Sequence, residues 1–508
     1  MVESCYAFVL DGRYQTDGII FAARLLRVMF ASYTLVRNRH HIIVFLLHRK
    51  VLFKMHPNNF SRLSFFRINA TSQRKIYRLR RKTRIKTIRW QRLFIYWIGA
   101  IVVGIVSVLF ARLGDFAASL REQIVHINPW FMLVVTPAGL VLITWLTRKL
   151  FDGAQGSGIP QTIATLHIHD FTVIDRILSP RIALGKILMT TLGLVSGASI
   201  GREGPSVQIG ASVMHAFSRL IGQNGEITRH GMILAGGAAG MAAAFNTPLA
   251  GIVFAIEELS HSFEQKASGR TLAIIIFSGV TSIAFMGNYT YFGHTNAVIP
   301  IGSAWMAVGI CGVLGGVAGG LFSRCVIALS RGFPSPMSLF ARKKPLVFVG
   351  LCGLLLALLG IASDGATYGT GYLQANGIVN GYLHYPASFF VLKYISMLIT
   401  FCSGILGGMF APSLSIGAGM GGWISQFLPH TSPSGVILLG MAAYFCGVAQ
   451  SPITATIIVM EICDNQQVTL ALLSVSFLAY AVSRIVCPEP LYSTLAKRFG
   501  KTQVELKS

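Results

Sequence analysis

SGASIGREGPSVQIGA (residues 196–211) sets one acidic residue, Glu203, among glycines and a proline inside an otherwise apolar chain. A carboxylate at bilayer depth is energetically costly, so such a residue usually marks an ion or proton pathway. Hydrophobic residues make up 53% of the 508 positions and charged residues only 12%, whereas soluble domains carry about 25% charged residues. The sequence therefore predicts a polytopic membrane protein with Glu203 on a transport pathway.

Apolar runs that are long enough, or nearly long enough, to cross a membrane recur from Leu93 onward. They are residues 93–110, 130–146, 182–200, 232–256, 272–285, 305–322, 346–361, 436–460 and 470–486. A spanning helix needs about 20 apolar residues, and several runs are shorter or are interrupted by glycine, which occupies 53 positions. Secondary transporters build ion sites from interrupted helices, because the amide ends of half-helices attract anions.

Most of the formal charge of +25 lies near the N-terminus, where residues 1–92 carry 20 Lys/Arg and three acids, a net charge of +17. The densest run, RKIYRLRRKTRIKTIRWQR (residues 74–92), ends where the first convincing span begins. Basic residues beside a first span stay on the cytoplasmic side, so the run predicts a cytoplasmic, lipid-facing role. Nucleic-acid binding is disfavoured, since neither aromatic interleaving nor a binding motif accompanies the run.

Three regions follow from this pattern: a basic cytoplasmic extension (residues 1–92), a transmembrane domain (residues 93–499) and a short cytoplasmic tail (residues 500–508). Residues 1–73 mix apolar and basic patches, which fits an interfacial amphipathic segment or a true start further along, for example at Met55. No secretory signal with a small-residue cleavage site is obvious.

Metal and disulfide chemistry are not indicated. The eight cysteines are scattered, mostly through apolar segments, with no Cys-x-x-Cys pair. His167 and His169 lie beside Asp170, but two histidines without a partner cluster are typical of a loop or a helix end. We expect neither a metal nor a cofactor.

An internal repeat relates the two halves of the chain. PSVQIGA (residues 205–211) and PSLSIGA (residues 412–418) share five of seven residues at an offset of 207. At an offset of 204, ILAGGAA (residues 233–239) matches ILLGMAA, Pro248 matches Pro452, and Glu257 matches Glu461. Weak internal symmetry with glycine-interrupted segments predicts an all-α transporter whose substrate site lies where the repeats meet.

Three motifs combine glycines with a proline placed for a helix start: GSGIP (residues 156–160), GREGP (residues 201–205) and GGMFAP (residues 407–412). Proline suits the first helical turn, where its missing N–H costs nothing. Three such starts that converge would bind an anion through backbone amides without any full positive charge. Such a site releases its anion quickly, as conduction requires.

In this order, the three motifs closely resemble those of the ClC family of chloride channels and chloride/proton antiporters. The resemblance extends to AFNTPLAGIVFAIEE (residues 244–258) and PLYSTLA (residues 490–496), so it covers residues 93–499. It implies inverted helical repeats around a mid-membrane anion site, a homodimer with one pore per subunit, and cytoplasmic termini. About ten residues follow the last motif, so we expect a compact, prokaryote-like member of a bacterial inner membrane, without the CBS pair of many eukaryotic relatives.

The resemblance also assigns chloride-binding residues. Ser157 resembles the filter serine whose hydroxyl faces the central chloride, and Tyr492 the tyrosine whose phenol meets the ion from the intracellular side. Met409 and Phe410 match positions whose backbone amides line the site; isoleucine is common at the first, and the backbone contact predicts little effect of methionine. The filter motifs comprise Gly156, Ser157, Gly158, Ile159, Pro160, Gly201, Arg202, Glu203, Gly204, Pro205, Gly407, Gly408, Met409, Phe410, Ala411 and Pro412.

Two glutamates carry the expected proton chemistry. Glu203 resembles the gating glutamate, whose carboxylate mimics a halide until protonation removes its charge; a structural salt bridge to Arg202 is the alternative. Glu258 resembles the inner proton-transfer glutamate, which channels of the family generally replace with an apolar residue. Its presence favours antiport over a passive chloride channel, whereas neighbouring Glu257, matched to Glu461, looks structural.

A hypothesis from another class rests on the segment GASIG (residues 197–201), which satisfies the nucleophile-elbow pattern G-x-S-x-G. Ser199 would then be the nucleophile of an intramembrane hydrolase. The elbow requires a strand, a sharp turn and a helix, with acid and histidine partners later in the chain. The pattern here ends an apolar segment, and His215, His230 and His261 lie in no supporting motif.

Overall fold

The computed structural model describes residues 70–220, 226–260, 269–287, 290–332, 340–341, 343–383, 385–429 and 431–505. Contacts divide the chain into two compact units, Met1–Trp97 and Ile98–Ser508, and the second unit contains every predicted site residue. The described residues form helices and no strand, so the predicted all-α class is confirmed. Residues 1–69 of the predicted extension lie outside the described residues, and the predicted boundaries at 92 and 499 stay predictions.

Eighteen α-helices have described bounds. They are α1 (Ala70–Ile127), α2 (Met132–Leu150), α3 (Ile159–His167), α4 (Phe171–Ile177), α5 (Pro180–Val195), α6 (Glu203–Leu220), α7 (Glu226–Phe245), α8 (Pro248–Phe254), α9 (Gly269–Met286), α10 (Met306–Arg331), α11 (Pro345–Ala362), α12 (Tyr372–Val379), α13 (Ser388–Cys402), α14 (Phe410–Ser425), α15 (Pro433–Ala449), α16 (Pro452–Ile462), α17 (Thr469–Val486) and α18 (Leu491–Glu505). A π-helical turn, Ala255–Ser260, extends α8. Proline occupies the first or second position of α3, α5, α8, α11, α15 and α16, where a backbone N–H would have no acceptor within the helix.

Within the described residues, seven helical segments are long and apolar enough to cross a membrane. Others, such as α13, α15 and α16, are shorter. Two predicted spans are wrong in one respect, because residues 232–256 and 436–460 each form two helices. The breaks fall at Asn246 and Gln450, which adopt left-handed φ angles of 61° and 59°. A non-glycine residue in this region is uncommon, so the shared conformation shows that the repeat extends to the backbone.

The repeat also governs helix packing. Helices α6 and α7 cross in the first half, and α14 and α15 cross in the second. A Cβ atom on Gly210 would overlap the carbonyl oxygen of Gly236, and one on Gly417 would overlap that of Gly440. Gly417 follows Gly210 by 207 positions, and Gly440 follows Gly236 by 204. Small residues let helices approach closely in lipid, where apolar burial supplies little drive for association.

Candidate anion and proton site

The two repeats meet at a pair of glycines. Gly201 of the GREGP motif donates its N–H to the Gly408 carbonyl at 2.7 Å, and Gly408 of the GGMFAP motif donates to the Gly201 carbonyl at 2.8 Å. This antiparallel bridge is the one β-type pairing in the described residues. Gly408 follows Gly201 by 207 positions, so equivalent residues of the two repeats bond to each other.

The GSGIP motif contacts this junction at Gly204 of the GREGP motif. A Cβ atom built on Gly204 would lie 2.7 Å from the Ser157 carbonyl oxygen and 3.1 Å from the Gly408 Cα atom. GSGIP, GREGP and GGMFAP therefore come together in space, as three helix starts. Helix α3 begins at Ile159, α6 at Glu203 and α14 at Phe410, and each has its motif proline in the first turn.

The amides at these helix starts are not equally free. The Gly158 N–H donates to the Gln161 Oε1 atom at 2.8 Å, so the α3 start is closed by its own side chain. Met409 is the N-cap of α14 and Phe410 its first residue. The first N–H groups of a helix have no intrahelical acceptor, so these two amides are the ones that suit an anion.

Three of the predicted site residues each have a buried polar side-chain atom without a hydrogen-bond partner among the described residues: Ser157 Oγ, Tyr492 OH and Glu203 Oε2. Their residues are 5%, 0% and 0% exposed. Helix α18, which carries Tyr492, packs against α3, and the Tyr492 ring stacks on Phe410 with centroids 5.9 Å apart. A buried hydroxyl without a partner costs about 1–3 kcal/mol, so the hydroxyls of Ser157 and Tyr492 suit a small ligand that accepts hydrogen bonds.

The Glu203 carboxylate lies at the start of α14. Its Oε2 atom lies against Gly201, whose missing Cβ would also come 3.4 Å from Ala411 Cβ and 3.3 Å from Pro412 Cδ. The Tyr291 hydroxyl donates to Oε1 at 3.5 Å. A carboxylate at this position has the charge and the helix-end environment that a bound halide would have.

Arg202 points away from the junction. Its Nη1 atom donates to the Ala111 carbonyl and to Asp115 Oδ1, each at 2.8 Å, and its guanidinium lies 5.8 Å from the Tyr291 ring centroid. Arg202 thus forms an ion pair with Asp115 on α1.

Glu258 lies in the π-helical turn after α8 and is 3% exposed. Its carboxylate accepts a hydrogen bond from the Ser451 hydroxyl at the start of α16. Tyr492 lies within electrostatic range of both Glu203 and Glu258. The tyrosine that carries the unpartnered phenol therefore interacts electrostatically with both predicted proton carriers.

Two cavities flank the junction and share no lining residue. The first, called the Ser157 cavity, measures about 270 Å³ and is lined by Gly156, Ser157 and Gly407, among others. The second, called the Arg202 cavity, measures about 290 Å³ and is lined by Arg121, Arg202, Tyr291 and the segment 370–374, among others. The segment from Ser199 to Arg202 runs between them, because Ser199 lines the first and Arg202 the second.

A family model described as voltage gated chloride channel matches residues 139–484, well over half of the chain. The chain belongs to this family. It is an integral, multi-pass membrane protein of a family that transports anions, and it is not an enzyme.

Solved structures share the fold of this voltage gated chloride channel family member. A slow cyanobacterial Cl⁻/H⁺ antiporter is 23% identical, with a TM-score of 0.69 over 82% of this chain and 99% of its own. A CLC-type fluoride/proton antiporter is 23% identical, with a TM-score of 0.68 over 79% and 97%. A eukaryotic CLC transporter is 22% identical, with a TM-score of 0.64 over 80% and 74%.

The hydrolase hypothesis fails on geometry as well as on family. Ser199 lies between α5 and α6 with no strand before it, and its N–H donates to the Thr400 hydroxyl at 3.2 Å. His215 instead bonds Asp175 through Nε2 at 2.6 Å. His230 lies against the Ile168 carbonyl through Nε2 at 3.1 Å, and His261 lies outside the described residues. The strand that the elbow requires is therefore absent before Ser199 in the described structure.

The sequence did not identify the residues that hydrogen-bond to the predicted site residues. Ser451 bonds Glu258, Tyr291 bonds Glu203, and the fully buried Lys186 donates from Nζ to the Gly156 carbonyl at 2.5 Å. Ser451 directly precedes Pro452, so the repeat itself could have drawn attention to it. Tyr291 lies in the segment between α9 and α10, where no local pattern marks it.

Proposed function

We propose that this protein is a chloride/proton antiporter. Chloride passes through the site of Ser157, Met409, Phe410 and Tyr492, and protons pass between Glu258 and Glu203. The observation that carries the proposal is a second buried carboxylate, Glu258, held by a serine hydroxyl near Tyr492. A passive channel needs no proton carrier there, and a buried carboxylate is costly to keep without a function.

Glu203 is the gate in this scheme. Its carboxylate lies at the start of α14, where a chloride ion would be attracted by the same amides. Protonation removes the negative charge of the carboxylate and so weakens its attraction to these amides. Chloride can then displace the Glu203 side chain from the start of α14. One carboxylate thereby links the occupancy of the anion path to the proton.

The proposed chloride site is supported by hydroxyls that have no hydrogen-bond partner among the described residues. Ser157 Oγ and Tyr492 OH are donors that have no acceptor among the described residues, and the Met409 and Phe410 amides lie at a helix start. Neutral donors bind chloride weakly enough for release. No arginine or lysine head group is needed at the ion.

We propose that the Arg202 cavity opens outside, because it is lined by residues 114–122 of α1, which follow the first apolar run, and that the Ser157 cavity opens toward the cytoplasm. The basic run that precedes the first apolar span supports this orientation, because basic residues are retained on the cytoplasmic side. We further propose a homodimer with one pathway per subunit, located in a bacterial inner membrane. Cross-linking in membranes tests the dimer independently of transport.

The test of antiport is proton movement into liposomes that contain the purified protein, driven only by a chloride gradient. The parent should take up protons against their gradient, and both Glu258→Gln and Glu203→Gln should abolish this uptake. Asp464→Asn is a matched control: Asp464 is exposed, and its left-handed φ of 43° suits asparagine. Chloride flux without proton movement in the parent would make the protein a passive channel and Glu258 a structural acid.

A further inference from the structure

Two buried lysines occupy equivalent positions in the repeats. Lys393 on α13 follows Lys186 on α5 by 207 positions, the offset that also relates Gly201 to Gly408. Both lysines are 0% exposed. Lys186 donates to the Gly156 carbonyl at 2.5 Å, and Lys393 donates to the Thr367 and Gly369 carbonyls, each at 2.8 Å.

The loops that these lysines hold share a G-x-G pattern, although Gly369 follows Gly156 by 213 positions rather than 207. GSGIP (residues 156–160) precedes α3, and GTGYL (residues 369–373) leads into α12. Gly156 and Gly158 have φ angles of 82° and 107°, and Gly369 and Gly371 have φ angles of 63° and 75°. All four lie in the left-handed region that glycine adopts without strain. Each repeat therefore contains one lysine bonded to the first glycine of one G-x-G loop.

The two loops line different cavities. Gly156 and Ser157 line the Ser157 cavity, whereas Thr370 and Gly371 line the Arg202 cavity. Arg121, 8% exposed, also lines the Arg202 cavity, and its guanidinium lies against Gly369, where a Cβ atom would overlap it. The GTGYL loop is thus the counterpart, at the other mouth of the pathway, of the predicted filter loop.

Lys393 has carbonyl oxygens as partners, and the structure records no carboxylate partner for it among the described residues. An ammonium group has three donors, and three carbonyls, including Tyr368 at 3.5 Å, face it. Three carbonyl acceptors favour the ammonium form of Lys393, and neutral partners orient the group without cancelling its charge. At low effective dielectric such a charge acts over several ångströms, so it favours an anion near the loop.

We propose that Lys393 is a positioning residue for anion entry at the Arg202 cavity: it fixes the GTGYL loop and adds positive potential there, as Lys186 does for GSGIP at the Ser157 cavity. The inference rests on the proposed anion pathway but not on proton coupling. It predicts that the two lysines affect opposite sides of the membrane.

Radioactive chloride uptake in right-side-out and inside-out membrane vesicles tests this, with chloride varied on one side at a time. Lys393→Met should raise the apparent KM for chloride on the Arg202 cavity side about fivefold or more, equivalent to about 1 kcal/mol, and leave the other side within about twofold. Lys186→Met should show the reverse. Lys393→Arg retains donors and charge and should stay closer to the parent.

Equal effects of Lys393→Met on both sides, or none on either, would overturn the proposal, since a merely structural lysine has no sidedness. If Lys393→Met does not accumulate in the membrane, Arg121→Gln decides, because it perturbs the same loop from the cavity. A one-sided shift would support the proposal, and its absence would refute it. Chloride flux is the readout, so a parent that moves chloride without protons would refute antiport and leave this test intact.

Discussion

Glu257 and Glu461 each accept two backbone N–H groups from the first turn of a helix in the opposite repeat. The Glu257 carboxylate bonds Ile453 and Thr454 at 3.1 and 2.6 Å, and the Glu461 carboxylate bonds Leu249 and Ala250 at 3.1 and 2.7 Å. These residues pair at the offset of 204 found in the sequence. A carboxylate at a helix N-terminus satisfies orphan donors and interacts favourably with the dipole, so each repeat stabilises a helix of the other.

Replacing either carboxylate should weaken this reciprocal contact. We expect Glu461→Gln to lower the free energy of unfolding by about 1–3 kcal/mol, because one amide oxygen replaces two charged acceptors. The measurement is the apparent melting temperature in detergent, followed by size-exclusion chromatography. Asp464→Asn, three residues further on and exposed, is the control. An unchanged melting temperature for Glu461→Gln would show that the contact is dispensable.

The Gly204 position should not accept a side chain. Gly204→Ala places a methyl group 2.7 Å from the Ser157 carbonyl and 3.1 Å from Gly408 Cα, both backbone atoms that cannot rotate away. We expect chloride uptake into liposomes to fall at least about tenfold, the equivalent of about 1.4 kcal/mol. Gly309→Ala is the control, because nothing lies within 4 Å of its Cβ position. Normal uptake in the Gly204 variant would mean that the three motifs need not approach so closely.

Ser451 should affect protons and spare chloride. Ser451→Ala removes the hydroxyl that donates to Glu258 and leaves the helix start otherwise intact. We expect a lower proton-to-chloride ratio in liposomes, because Glu258 loses the group that positions its carboxylate. Ser451→Thr keeps a hydroxyl and should restore most of the ratio. Equal losses of proton and chloride movement would instead point to a general defect at the start of α16.

The Tyr492 phenol should contribute to chloride affinity. Tyr492→Phe keeps the ring that stacks on Phe410 and removes only the unpartnered hydroxyl. A hydrogen bond to a charged group contributes about 1.5–3 kcal/mol, so we expect the chloride dissociation constant to rise at least about tenfold in titration calorimetry. Tyr444→Phe, which removes another buried phenol without a partner among the described residues, is the control. Equal affinities in parent and Tyr492→Phe would place chloride elsewhere.

Part of the fold and of the candidate site could be predicted from local features of the sequence. Apolar runs, the basic segment before the first span and the proline-glycine motifs each act through neighbouring residues, so membrane class and helix starts follow from the chain. The repeat could also be predicted, because Pro452 follows Pro248 and Glu461 follows Glu257 by the same 204 positions. The two long runs were misjudged as single spans, although Asn246 and Gln450 interrupt the apolar pattern and each stands two residues before a proline, where the helix breaks.

The sequence by itself determined that the protein is an all-α membrane protein of two repeats with three glycine- and proline-marked helix starts, because composition, periodicity and turn chemistry are local properties. Only the tertiary structure decided which groups meet: Gly201 with Gly408, Ser451 with Glu258, Arg202 with Asp115, and Lys393 with the GTGYL loop. These contacts join residues 24 to 207 positions apart. Their partners depend on how the helices pack, which no local pattern of residues specifies.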